Sequence, residues 1–515
     1  MSKKSFVSGA IILMLAGFIV KIFGFVYRIY LSNLIGSEGM GLFQLISPVY
    51  SLIILTLTSG VSIAVSKMVA EELAKNNLIN IRRITYCAFV ISLIAGFIIS
   101  GGIFFFIDFF SREVLKDART HISLLILVPC IPVIAASSAL KGYFYGIQQV
   151  APTAVSQIFE QAVKISVVML LASEFMGKGL EYACAMATLG MALGEIANLS
   201  LLILIYKFKK HKFHKNISRK GMMRKRNIIK EIVRTAFPVS VNRFITSVMG
   251  AFELILIPRR LLEGGLNYSA SMMEYGKLTG MAMPLISFPS LVTSSLAITL
   301  VPAISEALST KQYRSVNYRI SKSIQFTFIL GFIFTSIFLA FPHEIGGILY
   351  KREKVGELLF ILAFTCIFAY LQQTLLGVLN GMGKQAVSLR NSVIGSVIRI
   401  GFVYFAIPTY GILGYVVGII ISSGFVCILN LATVVNTTGM TIDFRNWVIK
   451  PGVVCAVLLF ISKYIYSFFG IFTKNFVLNT VSAVAAEFCI GLILMAIIGV
   501  LKKDEMKRLY KIKRK

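Results

Sequence analysis

Lys21 and Arg28 stand inside the first apolar segment, residues 6–31, where a membrane-spanning helix ordinarily carries no charge. At 3.6 residues per turn, Gly17, Lys21, Gly24 and Arg28 fall within an arc of roughly 60°. One face thus carries two cations and two glycines, while Ile12, Leu15, Phe18 and Phe23 lie largely elsewhere. A Lys or Arg at mid-bilayer costs roughly 2.5–3.5 kcal/mol, so this face is expected to meet water, a counter-charge or a ligand. The chemistry it offers is capture of an anion. An interfacial snorkel is the alternative, above all for Arg28, which is about two turns from Gly36.

Other polar residues are spaced for single faces of apolar segments. Gln157, Glu160, Gln161 and Lys164 share one, and Glu160 precedes Lys164 by four residues, the favourable order for an intrahelical pair. That pair is a candidate gate or brace, with a purely structural pair as the alternative. Asn242, Arg243, Thr246, Gly250 and Glu253 share a second face, and Ser392, Gly395, Ser396 and Arg399 a third. Glu195, Lys463 and Glu487 are further intramembrane charges without an evident partner. Lys21, Arg28, Arg243 and Arg399 are the candidate ligands for an anion, with Glu160, Lys164, Gln157 and Glu253 as candidate gating residues.

Catalytic and metal patterns are missing. The four histidines form no HExxH, and His211 and His214 fall in a basic loop. There is no Walker loop, and Gly36-Ser-Glu-Gly-Met-Gly41 lacks a preceding strand and reads as a tight external turn. The seven cysteines fall in or beside apolar segments without a CxxC pair and read as small hydrophobes. No enzyme activity, cofactor or metal is expected.

The elements that position these residues are membrane helices. Of 515 residues, 57% are hydrophobic and only 14% charged, which excludes an ordinary soluble domain of this size. Long apolar runs recur throughout, without the alternation of a transmembrane barrel, so the fold class is all-α integral membrane. The start could pass for a signal peptide, but the apolar run is too long and lacks a cleavage site. Fourteen spans are placed at about 6–31, 41–65, 84–110, 121–141, 150–173, 183–206, 232–258, 277–304, 322–341, 357–380, 388–408, 410–436, 451–471 and 476–501. Residues 207–230 carry eleven Lys/Arg and no acid, and residues 502–515 carry eight. Both termini and the long loop are therefore expected in the cytoplasm, with about 34 cations inside against about 11 outside. The net charge of +30 is mostly topology. The basic loop is expected to contact anionic membrane lipid, and no nucleic acid, because aromatics are sparse in it.

An internal repeat organises the spans. Gly142-Tyr-Phe-Tyr-Gly146, Ala151 and Val163-Lys164-Ile165 reappear 235 residues later as Gly377-Val-Leu-Asn-Gly381, Ala386 and Ile398-Arg399-Ile400. The same offset carries Glu71-x-Leu73 onto Glu306-x-Leu308. The expected domains are a six-helix lobe at 1–230 with its basic linker at 207–230, a second at 231–441, and two appended helices at 442–515. Six is even, so the repeats are expected to be parallel, with a site between them near the midplane. Helix 2, with Pro48, and helix 8, with Pro284 and Pro289, are rich in hydroxyls and are candidate bending elements, ordinary small-residue packing being the alternative.

Several segments resemble the stage V sporulation protein B family: Gly36-Ser-Glu-Gly-Met-Gly-Leu42, Val65-Ser-Lys-Met-Val-Ala-Glu71, Ser137-Ser-Ala-Leu-Lys-Gly-Tyr-Phe-Tyr-Gly146, Tyr275-Gly-Lys-Leu-Thr-Gly280 and Leu300-Val-Pro-Ala-Ile-Ser-Glu306. The resemblance runs over essentially the whole chain. That family lies in the polysaccharide-exporter branch of the superfamily that also holds multidrug antiporters and lipid II flippases. The resemblance implies a V-shaped bundle with alternating access, flipping undecaprenyl-pyrophosphate-linked peptidoglycan precursor for the spore cortex. It also implies a multi-pass protein of the bacterial cell membrane or the membrane around the forespore. Its expected partners are the lipid-linked oligosaccharide and peptidoglycan synthases, and it is expected to be a monomer. Lipid II flippases carry Arg-x-x-Gly-Phe-x-Arg in their first helix. Here Lys21-Ile-Phe-Gly24-Phe25-Val-Tyr-Arg28 uses Lys first and lengthens the second spacing by one. The carry-over is direct for Lys21, whereas a one-residue shift turns Arg28 by about 100°. A cation-coupled multidrug antiporter and a non-transporting sporulation scaffold are the alternative functions.

Overall fold

The computed structural model describes residues 3–75, 77–210, 222–351, 353–473 and 475–500. The centre of the basic loop, with His211 and His214, and the basic tail lie outside the described residues. Among the described residues the chain is helical and has no strand. Eleven helices are long and apolar enough to cross a membrane, or thirteen if two bent pairs each count as one span. The first of these, Gly17–Ala74, is two helices meeting at Gly36. The expected six-residue turn between spans 1 and 2 is thus a single joint, with φ of 70°, which glycine alone adopts without strain.

The chain divides into two compact units, residues 1–256 and 257–515. The division falls inside the helix Lys225–Glu263, downstream of the basic linker.

Each unit is built on the same set of close contacts. In the first, Val65 and Val69 pack with Leu140, Tyr143 and Phe144; in the second, Leu300 and Ile304 pack with Leu375, Val378 and Leu379. Every member of the second set lies 235 residues beyond its counterpart. The glycines follow suit. A Cβ on Gly142 would fall 2.7 Å from the Ser62 carbonyl oxygen, and one on Gly377 would fall 2.6 Å from that of Ala297. Gly96 lies against Pro132 and Gly331 against Ile367, again one offset apart. Small residues here let apolar helices approach to backbone contact, where dispersion and packing replace a hydrophobic driving force.

The offset also relates two breaks. Thr120–Leu127 and Cys130–Gly146 meet at 41°, and Gly356–Leu362 and Thr365–Gly381 meet at 53°. Pro129 explains the first break, while the second has no proline. Both breaks have a neighbouring hydroxyl that accommodates a carbonyl in the bend. Ser100 Oγ donates to Val128 O at 2.8 Å, and Thr335 Oγ1 donates to Ala363 O at 3.1 Å. Both hydroxyls are buried, so each carbonyl would otherwise lack that partner in an apolar surround. Ser100→Ala and Thr335→Val are each expected to lower stability by about 1 kcal/mol, measured as a fall in the thermal midpoint in detergent.

The two proline-bearing stretches behave differently. Pro48 lies within continuous helix, whereas the second stretch is broken into Tyr268–Gly276, a π-helical turn Lys277–Ala282, Met283–Ser287 and Ser290–Ser309. Pro289 precedes the last of these. In the second unit the two appended helices, Lys450–Phe472 and Phe476–Ile497, pack on Tyr313–Ala340 through Ile329, Ile333, Ile337, Val454, Leu458 and Met495. Glu487 is 0% exposed there and accepts a hydrogen bond from Ser336 Oγ at 2.5 Å. That contact answers where this carboxyl finds a partner.

Candidate functional site

The polar interior of the first unit is assembled from four helices. Lys3–Ala74 supplies Tyr27, Arg28 and Tyr50; Cys130–Gly146 supplies Lys141; Ala151–Phe175 supplies Glu160 and Lys164; Leu180–Lys210 supplies Glu195 and Asn198. The last two helices are pressed together at Gly190 and Gly194. A Cβ on Gly190 would lie 3.1 Å from the Lys164 carbonyl oxygen, and one on Gly194 would lie 3.0 Å from that of Glu160. The Gly-x-x-x-Gly spacing thus matches the Glu-x-x-x-Lys spacing opposite, and this close approach brings Glu195 and Asn198 to Glu160.

Asn198 is fully buried and joins two carboxylates. Its Nδ2 donates to Glu160 Oε2 at 2.9 Å and, more weakly, to Glu195 Oε2 at 3.4 Å. Tyr50 OH donates to Glu195 Oε1 at 3.4 Å, and Lys141 lies within electrostatic range of Glu160. The anticipated ion pair between Glu160 and Lys164 is not closed to contact among the described residues. The Lys164 ammonium lies over the Tyr27 ring instead, 4.2 Å from its centroid, where the ring quadrupole attracts it. The Arg28 guanidinium lies within electrostatic range of both Tyr27 and Lys164. One cation therefore lies over Tyr27 and a second, from another helix, lies within electrostatic range of both, while the two carboxylates share Asn198.

The remaining site residues are more dispersed. Lys21 is exposed and Arg28 half-buried, and Arg28 lies within electrostatic range of this network. Gln157 is half-buried on the same helix as Glu160, Glu253 is buried, and Arg243 is exposed on Lys225–Glu263. Arg399 belongs to the second unit, where its NH2 donates to Ser396 Oγ at 3.0 Å. The structure brings together Arg28, Glu160 and Lys164. Sequence reasoning passed over Tyr27, Tyr50 and Asn198, and found no partner for Glu195. The Gly190-x-x-x-Gly194 pair immediately before Glu195 was the signal that these residues face another helix. Among the described residues no cluster of His, Cys, Asp and Glu suits a metal ion.

A model of the polysaccharide biosynthesis protein family matches residues 6–308. Stage V sporulation protein B of Bacillus subtilis (strain 168) is 31% identical over 99% of this chain and 98% of its own length. The chain belongs to the stage V sporulation protein B family. Lipid II flippase MurJ of the same organism is 25% identical to this family member, covering 76% of the chain and 75% of the flippase. A solved lipid II flippase structure in an inward closed conformation superimposes with a TM-score of 0.71 at 14% identity, covering 95% and 98% of the two chains. That likeness establishes a shared fold. This stage V sporulation protein B relative is a multi-pass membrane protein of the flippase and transporter superfamily, not an enzyme.

Proposed function

We propose that the chain flips an undecaprenyl-pyrophosphate-linked peptidoglycan precursor, lipid II or a close analogue, by alternating access in the bacterial cell membrane. The observation that carries this reading is the Lys164 ammonium over the Tyr27 ring, with Arg28 within electrostatic range of both, inside a membrane helix bundle. Tyr27 occupies the position at which the lipid II flippase pattern has its second arginine, and Lys164 brings a cation to that position from another helix. Like charges held together in a membrane are stabilised by an anion of matching charge, and a pyrophosphate is one. In this reading Lys21 makes an outer contact, and Arg243 and Arg399 complete the anion's path. Glu160 braces Lys164 together with Gln157, and Glu253 serves a gating role.

The name of the 31%-identical relative supports a role in sporulation, and the proposal extends it to cortex synthesis, with the chain in the membrane around the forespore. In this reading the chain crosses fourteen times with both termini cytoplasmic, as lobes 1–230 and 231–441 plus two helices. It works as a monomer that hands its cargo to peptidoglycan synthases.

The test is translocation of labelled lipid II by the purified chain in proteoliposomes, with and without a membrane potential. Protein-dependent flipping supports the reading, and none under either condition overturns it. One observation favours a second reading: Glu160 and Glu195 share Asn198, and paired carboxylates suit cation-coupled drug antiport. Export of a cationic dye from the same vesicles, without lipid II flipping, would decide for that reading.

A further inference from the structure

Away from the Tyr27–Asn198 network, the first unit has an open cleft of about 500 Å³ at the end where Leu78–Phe105 begins. Arg82, Arg83 and Lys225 line it, together with Tyr86, Phe89 and Tyr206. None of its described lining residues is a carboxylate. Hydrogen bonds beside the cleft hold the two cation-bearing segments together. Asn77 accepts from the Asn80 N–H at 3.2 Å, and Asn80 Oδ1 accepts from the Met223 N–H at 3.0 Å. This ties the segment just before Lys225 to the first turn of Leu78–Phe105. Glu72, tied to the same corner through Asn80, is engaged by Lys75 Nζ at 2.9 Å and Asn80 Nδ2 at 2.6 Å.

The wall chemistry selects the ligand. Three cations suit a phosphate, and Phe89, Leu140 and Ile203 continue the cleft as an apolar surface along the helices. A saccharide would need neutral polar side chains, and Thr85 already donates its hydroxyl to Ile81 O at 2.8 Å. Tyr86 is 62% exposed, as an aromatic at the headgroup level of a membrane would be. We infer that this cleft holds the headgroup of an anionic glycerophospholipid, with Arg82, Arg83 and Lys225 on the phosphate and the first acyl carbons against Phe89 and Ile203. Basic pockets between membrane helices bind anionic headgroups in this manner.

The test uses the full chain released from nanodiscs of phosphatidylglycerol and phosphatidylcholine, with retained lipid read by native mass spectrometry. The wild type is expected to retain phosphatidylglycerol preferentially. The Arg82→Gln/Arg83→Gln/Lys225→Gln variant should lose that preference by about fivefold per cation removed. A control variant, Lys207→Gln/Arg224→Gln/Arg226→Gln, removes charge from the same end outside the cleft and should keep it. Equal losses in both variants, or none in either, overturn the inference. Displacement of the lipid by millimolar inorganic phosphate would reassign the cleft to a soluble anion and overturn it too. Lys225 is exposed, so Lys225→Gln alone gives the same readout, at about fivefold, should the triple variant fail to fold.

Discussion

Arg28→Ala is expected to slow lipid II translocation in proteoliposomes by about 10- to 100-fold while the protein still inserts and folds. A charge-assisted hydrogen bond to phosphate contributes about 1.5–3 kcal/mol, and each 1.4 kcal/mol is about tenfold in rate. The structural argument for an intact fold is electrostatic. Arg28 is within range of the like charge of Lys164, so its removal relieves repulsion and leaves Lys164 on the Tyr27 ring. Arg28→Lys keeps the charge but loses the planar fork that matches a phosphate, and should fall between wild type and Arg28→Ala. Lys21 is exposed, so Lys21→Ala alone should have the smaller effect, about tenfold at most. The double variant should be inactive. Wild-type flipping by Lys21→Ala/Arg28→Ala would remove these cations from the transport mechanism.

Asn198→Leu is expected to be the most destabilising single change in the polar interior, by about 2–3 kcal/mol. The residue is fully buried, and among the described residues its amide is the one group that donates to both Glu160 and Glu195. Leucine fills a similar volume but removes the donor that the two carboxylates share, and losing a hydrogen bond to a charged group in a membrane interior is costly. The remedy identifies the cause. Glu195→Gln added to Asn198→Leu removes one charge and restores a donor, so the double variant should regain much of the lost stability. Thermal unfolding of the two single variants and the double variant completes a cycle whose coupling isolates the interaction. Additive losses would mean that Asn198 acts through packing and not through the carboxylates.

Much of this molecule was legible from one dimension. Apolar runs, the gathering of basic residues into two stretches and the 235-residue offset are properties of order along the chain. So is the placement of Lys21 and Arg28 on one face of one helix. The offset proved deeper than its residue matches suggested, because it also relates contacts between unlike residues. Ser100 and Thr335 donate to Val128 and Ala363, and Pro132 and Ile367 receive Gly96 and Gly331. Identity at those positions has drifted while the geometry has not, so a search for matching letters passes over them.

Partner choice was not legible. Spacing along a helix predicts a Glu160–Lys164 pair, yet Lys164 goes to Tyr27 and Glu160 to Asn198, because neighbouring helices offer those groups at contact distance. The same reason separates Lys21 from Arg28. Two turns keep Lys21 and Arg28 on one face, but the crossing of Lys3–Ala74 with its neighbours decides which stretch of that face is covered. A proline marks where a helix can bend, as at Pro289, and packing decides that Pro48 lies within continuous helix. Sequence by itself determined that this is a two-repeat membrane protein with cations in its spans, since hydropathy and periodicity are local quantities, and likeness to relatives placed it in the stage V sporulation protein B family. Tertiary structure alone decided which of those cations meet, since a side chain's partners depend on helix rotation and separation that no spacing along one helix encodes.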